Sequence, residues 1–210
     1  IGNAPVVVVN HALTGNSNVT GENGWWNDLI GENKIIDTNY FTVIAFNIPG
    51  NGYDENFGNL ISDYHDFTIR DIAEIFWKGL DFLQISDVFA VIGGSLGGAI
   101  AWEMTVLNPN KIQNLIPIAT DWKATDWVIA NVLIQNQILN NSDDPIADAR
   151  LNAMLLYRTP KSINQRFKRE KINNVFQIEN WLINHGIKLK NRFRLSAYKL
   201  MNHLLKTNDI

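Results

Sequence analysis

A serine framed by glycines, Gly93-Gly94-Ser95-Leu96-Gly97, follows the apolar run VFAVIG and opens a second apolar stretch that suits a helix. Strand, G-x-S-x-G turn, then helix is the arrangement that displays a serine as a nucleophile at the end of a buried strand. A serine hydroxyl is a weak nucleophile alone; it needs a base, an acid behind that base, and hydrogen-bond donors for the oxyanion. Small neighbours let strand and helix close up while the serine takes a strained backbone conformation. A glycine-rich phosphate-binding loop or a simple tight strand-to-helix turn is the plainer alternative. GGSLGG does not match the dinucleotide pattern, and no Walker lysine follows it.

The N–H of Leu96, at the start of the expected helix, is one candidate oxyanion donor. A second would come from the loop after an earlier strand, where His11, Ala12, Leu13 and Thr14 directly follow VVVVN. The four histidines, His11, His65, His185 and His203, read as surface or structural residues rather than as the base. Asp121 and Asp126 suit the first turn or cap of the helix that follows them. Arg166, Lys168, Arg169 and Lys171 form a basic cluster whose residue types alone suggest a solvated face.

The elements that would position Ser95 are legible from hydrophobic pattern. PVVVVN (5 to 10), FTVIAF (41 to 46), VFAVIG (88 to 93) and NLIPIA (114 to 119) read as strands buried on both faces of a parallel sheet. From Thr68, apolar residues Ile69, Ile72, Ile75, Phe76, Leu80 and Leu83 recur at helical spacing, and Ser95 to Leu107 is the next helix, stopped by Asn108 and Pro109. Alternating strands and helices predict an α/β fold over residues 1–120. Beyond Thr120 the segments DWKATDWVIANVLIQNQIL, DARLNAMLLYR, FQIENWLINHG and SAYKLMNHLL read as helices with no convincing strand, so 121–210 is expected to be a helical lid or insertion.

Composition narrows the chemistry further. At 210 residues, 46% hydrophobic and 19% charged, the chain can bury a core, and its formal charge of −3 lacks the long basic runs that recruit nucleic acid or anionic membranes. Small molecules are the expected partners. The absence of cysteine excludes disulfides, thiolate catalysis and cysteine metal sites, and fits a cytoplasmic protein. No apolar run approaches a membrane span, and no metal or tightly held cofactor is expected. The chain opens on Ile1 rather than Met, with VVVV only a few residues on, which reads as a start inside a fold.

Taken in order, NHALTG, GWWNDLIG, IDTNYFTVIAFN, AVIGGSLGG, IPIAT and AMLLYRT resemble the homoserine O-acetyltransferase family, MetX-type acyltransferases of methionine biosynthesis with the α/β-hydrolase fold. The resemblance implies a parallel sheet of that type, incomplete at both ends here, with a helical lid in the C-terminal half. It implies ping-pong transfer of an acetyl group from acetyl-CoA, as co-substrate, to the hydroxyl of L-homoserine. Carried over by position, Ser95 is the nucleophile and Leu13 and Leu96 supply the oxyanion amides. Arg169, in the phenylalanine-x-arginine motif Phe167-Lys168-Arg169, binds substrate; a guanidinium grips a carboxylate with two parallel hydrogen bonds. The resemblance also implies a homodimer through the lid; Trp127, Leu133 and Trp181 read either as that face or as core.

Three departures accompany the resemblance. The family's triad aspartate and histidine follow the lid, and RFRLSAYKLMNHLLKTNDI matches the segment that closes it, so neither is expected within these residues. The loop NIPGNGYDENFGN (47 to 59) is shorter than the family's glycine-rich loop, and NNSDDPIADAR replaces a longer stretch between lid helices. An esterase of the same fold and a non-catalytic, triad-less relative acting as an interaction subunit remain the alternative readings.

Overall fold

The computed structural model describes residues 4–210, so the reading of Ile1 as a start inside a fold lies outside the described residues. In chain order the elements are β1 (Val6–Asn10), β2 (Ile30–Gly31), β3 (Ile36–Asp37), β4 (Thr42–Ile44), α1 (Ile69–Phe82), β5 (Val88–Gly94), α2 (Leu96–Leu107) and β6 (Ile112–Ile118). They continue with α3 (Asp126–Asn141), α4 (Pro145–Leu156), α5 (Pro160–Phe167), β7 (Lys171–Ile172), β8 (Val175–Phe176), α6 (Gln177–Lys190) and α7 (Leu195–Leu205). The main sheet is four-stranded and parallel, in the order β4-β1-β5-β6.

The all-apolar VVVV of β1 is buried throughout because it is paired on both sides and covered on both faces. The expectation of burial on both faces fails for β4, which is half-buried, and for β6, where Ile116 and Ile118 are exposed. Both are edges of the sheet. Helix α1 begins at Thr68, whose hydroxyl accepts from Asp71 N–H while the Asp71 carboxylate accepts from Thr68 N–H, a reciprocal cap. Its buried stripe is Ile69, Ile72, Ala73, Phe76, Trp77 and Leu80; Ile75 and Leu83, read as part of that stripe, are exposed.

Helix α2 is buried nearly all round its first two turns. Its one buried carboxylate, Glu103, is paired with Arg70 of α1 at 3.1 Å, which spares an unpaired buried charge. After β6 the chain is helical as expected, with two additions: α5, and the antiparallel β7–β8 hairpin. The hairpin strands are two residues each, below the length at which alternation is readable. Helix α6 also runs through His185 and Gly186 to Lys190 rather than ending at NHG.

The C-terminal helices do not stand apart from the sheet. Leu200, Met201 and Leu204 of α7 share one buried cluster with Phe76, Leu80, Ile100 and Met104 of α1 and α2. Ile69 N–H donates to Thr207 Oγ1 (3.0 Å), and Ala124 N–H to the Asn208 carbonyl (2.8 Å), so the end of α7 is stitched to the start of α1 and to the β6–α3 connection.

Candidate active site

Ser95 lies between the last residue of β5 and the first of α2, at φ 53°, ψ −119°. For a residue with a Cβ this is a sparsely populated conformation, and the surrounding structure must hold it there. It does so by backbone contacts. Ser95 N–H donates to the Ile118 carbonyl at the end of β6 (2.9 Å), and the Ser95 carbonyl accepts from Gly98 N–H (2.9 Å) and Ala99 N–H (3.1 Å), starting α2. A Cβ on Gly93 would stand 2.1 Å from the Gly97 carbonyl oxygen, and one on Gly97 would stand 2.2 Å from that of Asn10. Only glycine permits that approach of strand to helix.

Ser95 opens onto a pocket of about 490 Å³, with Leu13, Thr14 and Ala119 on the sheet side and Trp127, Gln135, Tyr157, Tyr198 and Asn202 among the helical residues opposite. Leu96 is the first residue of α2, and the first N–H groups of a helix have no intrahelical acceptor. Leu13 N–H has no backbone acceptor among the described residues. The structure therefore brings Leu13 and Ser95 to one pocket, with the Leu96 amide adjoining the serine. The Ser95 side chain makes no capping hydrogen bond to α2.

The histidines are engaged elsewhere. His11 is buried, and its Nε2 accepts from Ile48 N–H (3.1 Å). A backbone N–H can only donate, so the proton resides on Nδ1 and is donated to the Ala12 carbonyl (2.8 Å). Burial drives the His11 pKa down to about 4, which keeps the ring neutral. His203 Nε2 bonds the Phe67 carbonyl (3.1 Å), His65 packs on Tyr64 and His203, and His185 packs edge-on against Trp181. Asp126 lies in the first turn of α3, capped by Thr125, while the Asp121 carboxylate accepts from its own neighbour, Trp122 N–H, and its carbonyl from Asn208 Nδ2 (2.7 Å), so it is no part of that cap.

Arg169 does not reach the serine pocket. It lines a separate cleft with Asn164, Phe167, Lys168 and Phe176, and its guanidinium lies over the Phe176 ring. Two other arginines, outside the pocket lining, are hydrogen-bonded to residues that line the serine pocket. Arg150 donates to Tyr157 OH (3.3 Å) and leaves its Nε buried without a partner; Arg192 donates to the Thr14 carbonyl (2.8 Å). Neither has a carboxylate partner among the described residues. Burial and then the charge of Arg150 lower the pKa of Arg192. An anion placed between them would relieve that repulsion and satisfy the buried Nε–H. A signal for Arg150 exists in the sequence: Ala147, Arg150, Met154 and Tyr157 recur at helical spacing, which puts an arginine on an inward stripe. Arg192, in an interhelical connection, carries none.

A strained serine between strand and helix over a parallel sheet is the geometry of one broad enzyme fold. The model of the alpha/beta hydrolase fold family matches residues 5–170, and the chain belongs to that family. Within it, the resemblance read from the sequence holds. The chain is 33% identical to the homoserine O-acetyltransferase of Cyclobacterium marinum, over 98% of this chain and 64% of that protein. The crystal structure of homoserine O-acetyltransferase from Staphylococcus aureus superposes with a TM-score of 0.84 at 25% identity, covering 100% of this chain and 63% of that one. The L374D mutant of esterase E22 superposes at 0.82 with 19% identity, covering 97% and 68%, a likeness of fold. The chain spans 63 to 66% of the length of the first curated relatives it matches. No helix among the described residues is long and apolar enough to cross a membrane, and no group of three or more histidine, aspartate or glutamate side chains is placed to hold a metal.

Proposed function

We propose that the protein is an acyltransferase of the homoserine O-acetyltransferase type, acting in the cytoplasm in methionine biosynthesis. The observation that carries this reading is a serine at φ 53° beneath a pocket two of whose lining residues, Tyr157 and Thr14, are hydrogen-bonded to guanidiniums without anionic partners. In the first half-reaction Ser95 Oγ attacks the acetyl carbonyl of acetyl-CoA. The oxygen–carbon bond forms, the carbon–sulfur bond breaks, and CoA leaves with the serine proton. In the second, the L-homoserine hydroxyl attacks the acetyl-serine, and Oγ leaves and regains a proton. The Leu13 and Leu96 amides face the oxyanion of both steps, where one such donor is worth roughly 3 kcal/mol. The family resemblance assigns the proton transfers to an aspartate and a histidine carried after the helical region.

Arg150, with Arg192 beside it, takes the homoserine carboxylate in place of Arg169. A hydrolase needs no such anion site, which favours transfer over the esterase reading. The helices that roof the pocket, residues 121–210, exclude water from the acyl-enzyme, as transfer rather than hydrolysis requires. Leu133 (60% exposed) on α3 is assigned to a homodimer face, whereas Trp127 lines the serine pocket; Trp181, half-buried, packs against Phe167 and His185 within the helical region.

The test is CoA release from acetyl-CoA with and without L-homoserine in the full-length protein. Stimulation by homoserine supports transfer, and equal release without it supports hydrolysis. Ser95→Ala is expected to abolish CoA release and acetylation of the protein; an acetylated Ser95→Ala protein overturns the assignment. Arg150→Ala is expected to raise the homoserine KM roughly ten- to a hundredfold.

A further inference from the structure

Arg169 and its neighbours form a cleft of their own, about 550 Å³, at the far end of α5. The antiparallel pairing of β7 and β8 sets Lys171 directly opposite Phe176. The Lys171 ammonium lies 4.4 Å from the centre of the Phe176 ring, and the Arg169 guanidinium 5.6 Å from the same ring. Lys168 and Arg169 are both left-handed, at φ 48° and 60°, a conformation costing each about 1 kcal/mol. None of Arg166, Lys168, Arg169 and Lys171 forms an ion pair among the described residues. The nearby carboxylates are engaged, Glu170 with the Gln177 amide (2.9 Å) and Glu179 with Phe176 N–H (2.9 Å). A ring flanked by unpaired cations, in a cleft of ligand size, suits a ligand that is aromatic and multiply anionic.

We propose that this cleft binds the 3′-phosphorylated adenine nucleotide end of the CoA donor, with the base against Phe176 and the phosphates on Lys168, Arg169 and Lys171. The proposal rests on the acyl-CoA reading above. Helix α5, eight residues long and so about 12 Å, follows Tyr157 of the serine pocket in the chain and lines the cleft with Ile163, Asn164 and Phe167. CoA carries its thioester and its nucleotide at opposite ends of a long flexible arm, so one molecule can occupy both places.

The experiment is calorimetric titration of this chain with CoA, with 3′-phosphoadenosine 5′-phosphate and with dephospho-CoA. Binding does not require turnover. The expected result is that the nucleotide binds, competes with CoA and loses affinity with added salt, while dephospho-CoA binds roughly tenfold more weakly than CoA. The double variant Arg169→Glu, Lys171→Glu, both exposed and outside the core, is expected to weaken CoA roughly ten- to a hundredfold. Phe176→Leu, which keeps the hairpin's apolar contact, is expected to weaken the nucleotide and leave pantetheine unaffected. CoA bound equally well by the charge-reversed protein overturns this cleft and leaves the donor reading standing. No binding of CoA to either protein overturns both.

Discussion

The serine turn and the helical region are packed by different means. Around Ser95, main chain lies on main chain: Gly93 against Gly97, and Gly97 against Asn10, at distances where no Cβ fits. In the helical region, α4 and α6 also close on a glycine, Gly186, but the nearest atom to an added Cβ there is Leu151 Cδ1, the free end of a side chain. Backbone cannot move without dragging its sheet, whereas a leucine can change rotamer. The turn is therefore fixed in shape by its glycines, and the roof over it is adjustable. A site whose nucleophile must be strained and whose substrate pocket must be tuned would be divided in this way.

The largest expected effect tests the rigid half. Gly97→Ala forces a carbon to within 2.2 Å of the Asn10 carbonyl oxygen, and should cost about 3 to 5 kcal/mol or prevent folding. Gly94→Ala is its control, because a Cβ there meets nothing within 4 Å; urea midpoints of the two variants should differ widely. Equal midpoints would show that the Gly97 contact with Asn10 does not fix the turn.

The next effect concerns the clamp beneath the site. His11 ties the loop after β1 to Ile48 N–H and, at 3.4 Å, to Asn51 Nδ2. Its folded pKa of about 4 lies below the ordinary 6.5, so between those values the unfolded chain binds the extra proton. Stability from this group is full above pH 6.5 and falls as pH drops toward 4, by about 2 kcal/mol between pH 7 and 5. Burial lowers the pKa of His185 and His203 as well, which adds to the same slope. Denaturant unfolding at the two pH values measures it. His11→Asn should lower stability at pH 7 and flatten, without abolishing, the pH dependence.

How much of this could be read from the sequence also follows the divide between backbone and side chain. The turn at Ser95, the strands β1 and β5 and the capped start of α1 are local patterns, written in consecutive residues. Arg150 and Arg192 reach residues of the serine pocket, Tyr157 and Thr14, only because α4, the connection before α7 and the loop at Thr14 converge, across 178 residues in the case of Arg192 and Thr14. The basic cluster at Arg169 was visible, but its separation from Ser95 depends on the length and direction of α5. The exposed edges of β4 and β6 were hidden because their composition matches that of the central strands.

Ser95→Gly tests whether the strain at the turn is real. Glycine takes φ 53° without the Cβ penalty, although it gives up more entropy on folding. The net expectation is a gain of about 1 kcal/mol together with complete loss of acyl-enzyme. Loss of stability instead would mean that the serine side chain, rather than its backbone, holds the turn.

The smallest effect probes the adjustable half. Gly186→Ala improves intrinsic helix propensity by up to about 1 kcal/mol, while its Cβ must displace Leu151 Cδ1 from 2.7 Å and sit 3.1 Å from the Ala147 carbonyl oxygen. The leucine can turn away, and the carbonyl needs only a few tenths of an ångström. These terms nearly cancel, so unfolding should show a loss of no more than about 1 kcal/mol. The same substitution, glycine to alanine, is thus expected to be severe under Ser95 and mild between α4 and α6. A cost at Gly186 comparable to that at Gly97 would show that the roof is as rigid as the turn, and would remove the basis for treating pocket shape as the tunable part of the site.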